Sequence, residues 1–430
     1  MRMGLNQFMN VSPNSPRPPS VDRASLTGGL RVDVYTSWDA AGSLIPVWRE
    51  ILAMNPELTI FCTPEWMTSW WEAFGPSGSL RILAFVGVGE QILGLAPLYV
   101  ETHESAPFGN MTRIRFVGDG SGDSDNLDLV IRPGAEGICI DAMLGWIAKN
   151  DYNLCALNTL DAESTSAKAL AHRLNGNHWS LRYTSMPCSW VEFPGTYRDY
   201  FTGLSAGFRK LIGRGQRDLR ATYRVKIRRC ERAGEIPEML EDLFCLHQKR
   251  WTCIGEPGSF VSEPRRRFYR KMASAFLDRG WLELWTLELD GKAAAAQMGF
   301  RYREVAYGLQ EGFAPELGRF HPGYLLRAAM FESLVERGAK KYSFLAGFTA
   351  AKARWGAQCG QYANFVFAVP QTRGAYHIAL DRSAAESKEW LRQHLPSQMW
   401  QILHRIKVSY EEKGRASVAA TDYPDERLAS

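Results

Sequence analysis

Residues 281–291 read WLELWTLELDG, and the predicted fold is built outward from this segment. Apolar and polar residues alternate towards its end, which is typical of a half-buried strand. Asp290 and Gly291 follow, and this pair favours a tight hairpin because a type I′ turn needs positive φ at both central positions. Further strands are predicted over residues 293–302 and 305–310. The segment therefore begins a series of three successive strands.

A loop over residues 311–320 follows the third strand and leads into a helix from about Pro322 to about Arg337. Proline fits the first helical turn, where its missing N–H loses nothing. A last strand is predicted over residues 341–345. A loop that enters a helix presents unpaired backbone N–H groups in front of the positive end of the helix dipole, which suits a pyrophosphate. An ordinary loop-to-helix junction without a ligand is the alternative interpretation.

The same order of elements is predicted twice. Helix, hairpin, strand, loop, helix and strand occupy residues 63–158 and again residues 264–345. Residue identities are not repeated, so the order alone indicates two copies of one α/β unit. At 430 residues the chain is also too long for one typical core. The sequence therefore predicts an α/β fold with two tandem units.

Composition restricts the class of protein. The chain is 45% hydrophobic and 23% charged, with a net charge of +5, as in globular proteins. Its eight cysteines include no CxxC pair, which disfavours a zinc site and a disulfide scaffold and fits a reducing compartment. No signal peptide is visible, and no segment reaches the ~18 apolar residues that span a bilayer. We therefore expect a soluble cytoplasmic protein without a metal.

Two segments have a composition that is typical of ligand-binding sites. Residues 118–125, here called the aspartate loop, carry three glycines and three aspartates but lack the glutamate of a calcium-binding EF-hand loop. We interpret this loop as a turn-rich linker that could line a cleft. Residues 204–232, the basic segment, hold ten basic residues against only Asp218 and Glu231. A solvated helix face and an anionic partner both remain open there. Tyr223 is the one aromatic residue among the basic ones, which disfavours a nucleic-acid partner.

Four regions are predicted along the chain. They are a disordered tail over residues 1–29, a first domain over 30–190, a second domain over 191–370 and a helical tail over 371–430. The helical tail is expected to be amphipathic over residues 383–408 and broken at Pro396. Docking of this tail on the body and contact with a membrane surface are both open interpretations.

Several short segments resemble the GNAT acyltransferases of the CelD type, a family related to the FemAB proteins. In the second half they are FCLHQKRW at 244–251, RFY at 267–269, LDGK at 289–292, YGLQEGF at 307–313, PGYLL at 322–326 and KARW at 352–355. Earlier in the chain they are the segment at 64–75, RFVG at 115–118 and LSAGFR at 204–209. The resemblance extends over residues 35–370.

This resemblance implies two tandem GNAT-like units, with mixed sheets flanked by helices, that face each other. It also implies transfer of an acyl group from acyl-CoA, such as acetyl-CoA, to an amine or hydroxyl of a small molecule or glycan precursor. Relatives often accompany cellulose or exopolysaccharide synthesis, so a place in cell-envelope biosynthesis is expected. Two alternatives stay open: a FemAB-like transferase that uses aminoacyl-tRNA, and a non-catalytic GNAT-fold partner in a polysaccharide synthase complex.

The resemblance also implies where the donor lies. Pantetheine would pair with the strand at 305–313, and the pyrophosphate would meet the backbone at 321–325. The implied donor-binding residues are Gly312, Phe313, Arg319, Pro322, Gly323, Tyr324 and Leu325. The usual phosphate loop of the family, Arg/Gln-x-x-Gly-x-Gly/Ala, is replaced by GRFHPG at 318–323.

Acyl transfer needs a base that deprotonates the acceptor. Glu311, at the end of the central strand, is the first candidate, and His321 is the second because the ordinary pKa of histidine suits proton transfer near neutrality. Tyr307 is a candidate to protonate the leaving thiolate. Lys352 and Trp355 are predicted to hold the substrate.

Overall fold

The computed structural model describes residues 21–394 except residues 28, 77–78, 106, 177–178 and 254. The strands are β1 Val21–Thr27, β2 Leu30–Tyr35, β3 Leu80–Val86, β4 Ile92–Ser105, β5 Gly109–Phe116, β6 Val130–Ile131, β7 Leu154–Asp161, β8 Ser180–Glu192, β9 Val225–Arg229, β10 Leu282–Leu289, β11 Lys292–Tyr302, β12 Val305–Phe313, β13 Lys341–Ala346 and β14 Gln358–Ala368. The helices are α1 Trp38–Ala41, α2 Ile45–Met54, α3 Pro64–Phe74, α4 Glu136–Lys149, α5 Thr165–Gly176, α6 Tyr197–Gly203, α7 Ala206–Thr222, α8 Ile236–Thr252, α9 Glu263–Asp278, α10 Pro322–Glu336, α11 Ala350–Ala353 and α12 Arg373–His394.

The strands form one sheet in the order β1-β2-β3-β4-β5-β7-β14-β8-β13-β12-β11-β10-β9, with β6 beside β4. Most neighbours are antiparallel, but β5 pairs in parallel with β7, and β12 pairs in parallel with β13. A helix connects each parallel pair, α4 in the first case and α10 in the second. The predicted α/β fold with a mixed sheet flanked by helices is confirmed.

The predicted repetition is also present. In the first unit, β2 to β8, helix α3 precedes β3, β4, β5, α4 and β7, and in the second unit, α6 to β14, helix α9 precedes β10, β11, β12, α10 and β13. The predicted tight turn joins β10 to β11, with φ of 49° at Asp290 and 80° at Gly291. Positive φ at both positions is what a type I′ turn requires.

Aromatic side chains fill the contact between the two units. The ring of Trp66 on α3 lies edge-on to Phe268 on α9, with 5.1 Å between centroids. The ring of Phe74 also packs on Phe268, with 5.7 Å between centroids. Trp66 and Trp70 are buried, which agrees with the usual place of aromatic residues inside a fold. One continuous core therefore spans both units.

The last strand of each unit crosses to the other unit. Strand β8 pairs with β13 of the second unit, and β14 pairs with β7 of the first. The two crossing strands also pair with each other over residues 180–190 and 358–368. This exchange makes the sheet continuous and fixes the second unit's parallel pair against strands from the first.

The two ends of the described chain differ in part from the sequence prediction. The predicted disordered tail includes residues 21–27, which form β1 and pair with β2. The beginning of helix α12 packs on the body, because Ile378 is buried beside Met111 and Leu154, whereas residues 382–387 are exposed. Residues 1–20 and 395–430, with the predicted break at Pro396, lie outside the described residues. Of the helices that the structure describes, none is long and apolar enough to cross a membrane.

Candidate functional site

Strands β12 and β13 diverge after a short parallel pairing. They pair only over residues 305–307 and 341–343. Beyond that point Leu309 is an extra residue in β12 relative to its other neighbour, β11. A bulge of this kind bends a strand and re-aims its side chains. Gly308 lies at the point of divergence, where an added Cβ would approach the hydroxyl of Tyr342 to 2.0 Å, so any larger residue would require the Tyr342 side chain to move.

A cavity of about 380 Å³ lies in this opening and is called the central cavity below. The second unit lines it with residues from α8, β11, β12, α10, β13 and α11. The first unit contributes Gly122, Asp123 and Asp125 of the aspartate loop. The aspartate loop therefore lines a cleft, in agreement with the interpretation from its sequence.

Asp123 anchors the aspartate loop to α9. Its carboxylate accepts one hydrogen bond from the hydroxyl of Tyr269 at 2.9 Å and one from Nε of Arg265 at 3.0 Å. The side chain is 0% exposed. Burial raises the pKa of Asp123, and the charge of Arg265 acts in the opposite direction. Both carboxylate oxygens are therefore occupied by contacts that hold the two units together.

Asp125 contacts the end of β13. Its Oδ2 accepts a hydrogen bond from the backbone N–H of Ala346 at 2.8 Å. Among the described residues, no other hydrogen bond or ion pair reaches this carboxylate. Burial raises the pKa of Asp125, while the hydrogen bond from Ala346 and the nearby charge of Lys352 lower it. One carboxylate oxygen thus remains available on the cavity wall.

Lys352 secures the chain after β13. Its Nζ donates to the carbonyls of Phe344 at 2.9 Å, Ala346 at 2.6 Å and Gly347 at 2.9 Å. Burial lowers the pKa of Lys352 to about 8, with Asp125 acting in the opposite direction. All three ammonium protons are directed at carbonyls, so the structure gives Lys352 a role in holding the backbone. The predicted role of holding an anionic substrate would require these bonds to break.

Glu311 lies at the end of β12 and is held by two guanidinium groups. Its carboxylate accepts hydrogen bonds from Arg250 of α8, at 3.2 Å, and from Arg327 of α10. Burial alone would raise the pKa of Glu311, but the charges of Arg327 and Arg250 bring it below its ordinary value. A carboxylate in such a pair is a weaker base than an unpaired one. This geometry argues against Glu311 as the general base.

The structure places three other predicted residues in the core and away from the cavity. Tyr307 is buried edge-on to Phe61 at 5.8 Å and cannot reach a thiolate in the opening. Trp355 is fully buried, and its ring packs against Phe208 at 5.0 Å. Leu325 is buried in the same cluster. Strand and helix periodicity predicted these elements correctly but left open which face each side chain occupies.

The loop before α10 has the conformation of an anion site only in part. A short 3₁₀ turn, Pro315–Phe320, ends at His321, which has left-handed φ and ψ of 55° and 49°. The backbone N–H groups of Tyr324 and Leu325 both donate to the carbonyl of His321. Pro322 has no N–H. In the described chain this leaves the N–H of Gly323 as the unbonded donor of the first turn.

Basic side chains surround this loop. A pocket of about 410 Å³, here the entry pocket, lies over the start of α10, and it is lined by Phe313, His321, Pro322, Gly323, Tyr324 and Arg354 among others. It shares Arg250 and Glu311 with the central cavity. On the other side of His321, a groove of about 780 Å³, the basic groove, is lined by Lys210, Arg214 and Arg319. Most of the predicted donor-binding residues therefore lie together.

Sequence reasoning missed several residues of the site. His247 on α8 is 2% exposed and lines the central cavity. Burial lowers its pKa to about 4, so it is neutral at pH 7. A Cβ on Gly312 would lie 2.3 Å from the backbone nitrogen of His247, so β12 and α8 touch through their backbones and Gly312 faces away from the cavity. The segment FCLHQKRW, which contains both His247 and Arg250, was the available signal.

Within residues 21–394, and outside the gaps given above, no group of three or more His, Cys, Asp or Glu side chains could hold a metal ion.

Known structures resemble this chain in fold. The fold is similar to that of a solved structure described as FemX, at 11% identity over 76% of this chain and 96% of that one, with a TM-score of 0.55. A tandem GNAT protein from the clavulanic acid biosynthesis pathway is 13% identical over 80% of this chain and 99% of that one, with a TM-score of 0.46. At these identities the similarity concerns the fold alone.

No curated protein matches the sequence. The family model described as an acetyltransferase (GNAT) domain matches residues 206–355. This range includes α10, both diverging strands and most of the residues that line the central cavity. Over residues 206–355 the second unit is therefore similar to a GNAT acetyltransferase domain.

Proposed function

We propose that the protein is an acyltransferase that moves an acyl group from acyl-CoA to an amine or hydroxyl of a small acceptor. The observation that carries the proposal is the opening between β12 and β13, because it holds the central cavity next to the entry pocket, with which it shares Arg250 and Glu311, within the matched domain. Beyond residue 307 the edge of β12 that faces β13 has lost its partner strand. That edge offers backbone groups with which the amides of pantetheine can pair.

The donor phosphates would lie at the start of α10. The N–H of Gly323 and the helix dipole favour an anion at this point. Arg354 lines the entry pocket and Arg319 lines the adjoining basic groove, so both can add charge-assisted contacts to phosphate. This arrangement compensates for the absence of the family's usual phosphate loop.

The acceptor would occupy the central cavity, where the aspartate loop of the first unit faces the second unit. Both units then contribute to one site, as the resemblance to the CelD type implies. On the same resemblance we extend the proposal to an acceptor from exopolysaccharide or cell-envelope biosynthesis. The proposal covers both N- and O-acylation, since the polar groups of the cavity walls can bind an amine or a hydroxyl acceptor.

Calorimetric titration with CoA and acetyl-CoA tests the donor. We expect micromolar binding that weakens at least tenfold in the double variant Arg319→Ala, Arg354→Ala, which corresponds to about 1.4 kcal/mol. The matched control is Arg198→Ala, which removes an exposed charge on α6 outside the pockets described above. Wild-type protein that binds neither CoA nor acetyl-CoA would refute the proposal.

A FemAB-like transferase that uses aminoacyl-tRNA is the second candidate. The basic groove favours it, because two exposed cations that line it, Lys210 on α7 and Arg319, have no ion pair among the described residues. The similarity of fold to FemX is in keeping with it. Binding to phosphates would then fall steeply with salt. A requirement for aminoacyl-tRNA, with no response to acetyl-CoA, would select this candidate over the first.

A further inference from the structure

We infer that Asp125 of the first unit is the general base of the reaction catalysed in the second unit. The inference rests on the proposed function, and it starts from a comparison of the three carboxylates that line the central cavity. Asp123 has both oxygens occupied by Arg265 and Tyr269. Glu311 is held by two guanidinium groups.

Asp125 differs from these two carboxylates. It accepts only the bond from Ala346 among the described residues, and unlike Asp123 it is only partly buried. A general base needs a lone pair that is directed at the acceptor and is not already used. Of the carboxylates on the cavity wall, Asp125 alone meets this requirement in the described structure.

The position of Asp125 suits proton transfer at a thioester. Residues 309–311 line one side of the central cavity and residues 344–346 the other. The hydrogen bond from Ala346 fixes Asp125 at the end of β13, where β12 and β13 have already diverged. Pantetheine that follows the edge of β12 brings its sulfur into this space. The carboxylate thus lies on the wall that faces the acceptor.

The proposed step is balanced in atoms and charge. The acceptor nitrogen or oxygen forms a bond to the thioester carbonyl carbon while Oδ1 of Asp125 takes the acceptor's proton. The tetrahedral adduct then collapses, the C–S bond breaks, and the sulfur leaves with the electron pair as a thiolate. The proton passes from Asp125 to that thiolate. The products are the acylated acceptor and CoA, and the carboxylate is restored.

Several titratable groups face Asp125. Lys352 on α11 favours its charged form, whereas Asp123 on the same loop disfavours it. Cys188 on β8 and Tyr362 on β14 are also within electrostatic reach. Burial raises the pKa of Asp125 above its ordinary value of about 3.9, which brings the carboxylate closer to the pH at which a base works best.

A purely structural role is the competing explanation, since Asp125 ties the first unit to β13. The variant Asp125→Asn separates the two, because the amide oxygen still accepts from Ala346 but cannot take a proton. Asp123→Asn is the matched control on the same loop. It breaks the contact with Arg265 and is expected to lower the melting temperature. The decrease of activity at acid pH that protonation of Asp125 causes should remain in this variant.

The experiment uses the full chain, acetyl-CoA and a panel of small amines and alcohols, with thiol release as the readout. For Asp125→Asn we expect kcat to fall by ~100-fold or more, with the Kd for CoA and the melting temperature unchanged. Asp125→Glu should recover part of the lost rate. With an alcohol acceptor, wild-type activity should fall at acid pH as Asp125 becomes protonated, and this limb should be absent from Asp125→Asn.

Two outcomes count against the inference. If wild type turns over and Asp125→Asn keeps more than a third of its kcat, or loses stability in proportion to activity, Asp125 is not the base. If wild type releases no thiol with any acceptor, or binds no acetyl-CoA, the proposed function itself fails and the inference fails with it.

Discussion

The guanidinium of Arg250 on α8 lies 3.2 Å from the carboxylate of Glu311 at the end of β12. Both residues border the central cavity and the entry pocket, so this ion pair stands at the junction of the two spaces. Arg327 completes the cluster from α10 and is only 12% exposed. Three elements of the second unit are thereby fixed around the opening.

Glu311→Gln should therefore act mainly on stability. The change leaves the guanidinium of Arg327 without a carboxylate, and removing one partner of a partly buried pair costs about 2 kcal/mol. Because the pKa of Glu311 is lowered in the folded protein, its stabilising effect is present at neutral pH and is lost as the pH falls through that lowered value. Urea unfolding at pH 7 and at pH 3 measures both effects.

The control for this variant is Glu163→Gln, which breaks an exposed ion pair with Lys168 and should change stability much less. Turnover supplies the second readout. A loss of kcat on the scale expected for Asp125→Asn, with stability unchanged, would restore Glu311 as the base and contradict our interpretation of the cluster.

Gly312→Ala should damage the packing of β12 on α8. The added Cβ would lie 2.3 Å from the backbone nitrogen of His247, and two backbones cannot separate without disturbing the sheet. We expect a loss of about 3 kcal/mol in the free energy of unfolding, as for overpacked cores. Gly318→Ala is the matched control, because a Cβ there would meet no atom within 4 Å. Equal stability of the two variants would show that α8 moves freely.

His247 should make the protein sensitive to mild acid. Its pKa is lowered to about 4 by burial, whereas an unfolded histidine titrates near 6.5. The unfolded chain therefore binds more protons between these values, and the stability due to neutral His247 is lost as the pH falls from about 6.5 to about 4.

His247→Gln removes this titration. Unfolding free energies at half-unit pH steps should fall less steeply for the variant than for wild type across that interval. His172→Gln, which replaces a histidine on α5 away from the cavity, is the control. Parallel curves for wild type and His247→Gln would mean that His247 is solvated and protonates without cost.

Part of the site could be predicted from local sequence alone. The Asp-Gly pair predicts the hairpin between β10 and β11 because few other residues tolerate positive φ at two adjacent positions. Pro322 predicts the start of α10 because proline suits the first turn of a helix and no later one. The repeated order of elements predicts two units. These are short-range constraints, and they follow from neighbouring residues in the chain.

The contacts between distant side chains depend on how the whole chain packs. Tyr307 and Glu311 lie on the same strand, yet one is in the core and the other in the opening, because a bulge at Leu309 lies between them. Asp125 reaches Ala346 across 221 positions of the chain. That contact depends on the packing of the two units, on the exchange of β8 and β14, and on the anchoring of the aspartate loop by Arg265. No local pattern specifies it, because the free energy that brings these residues together comes from burial of the shared core.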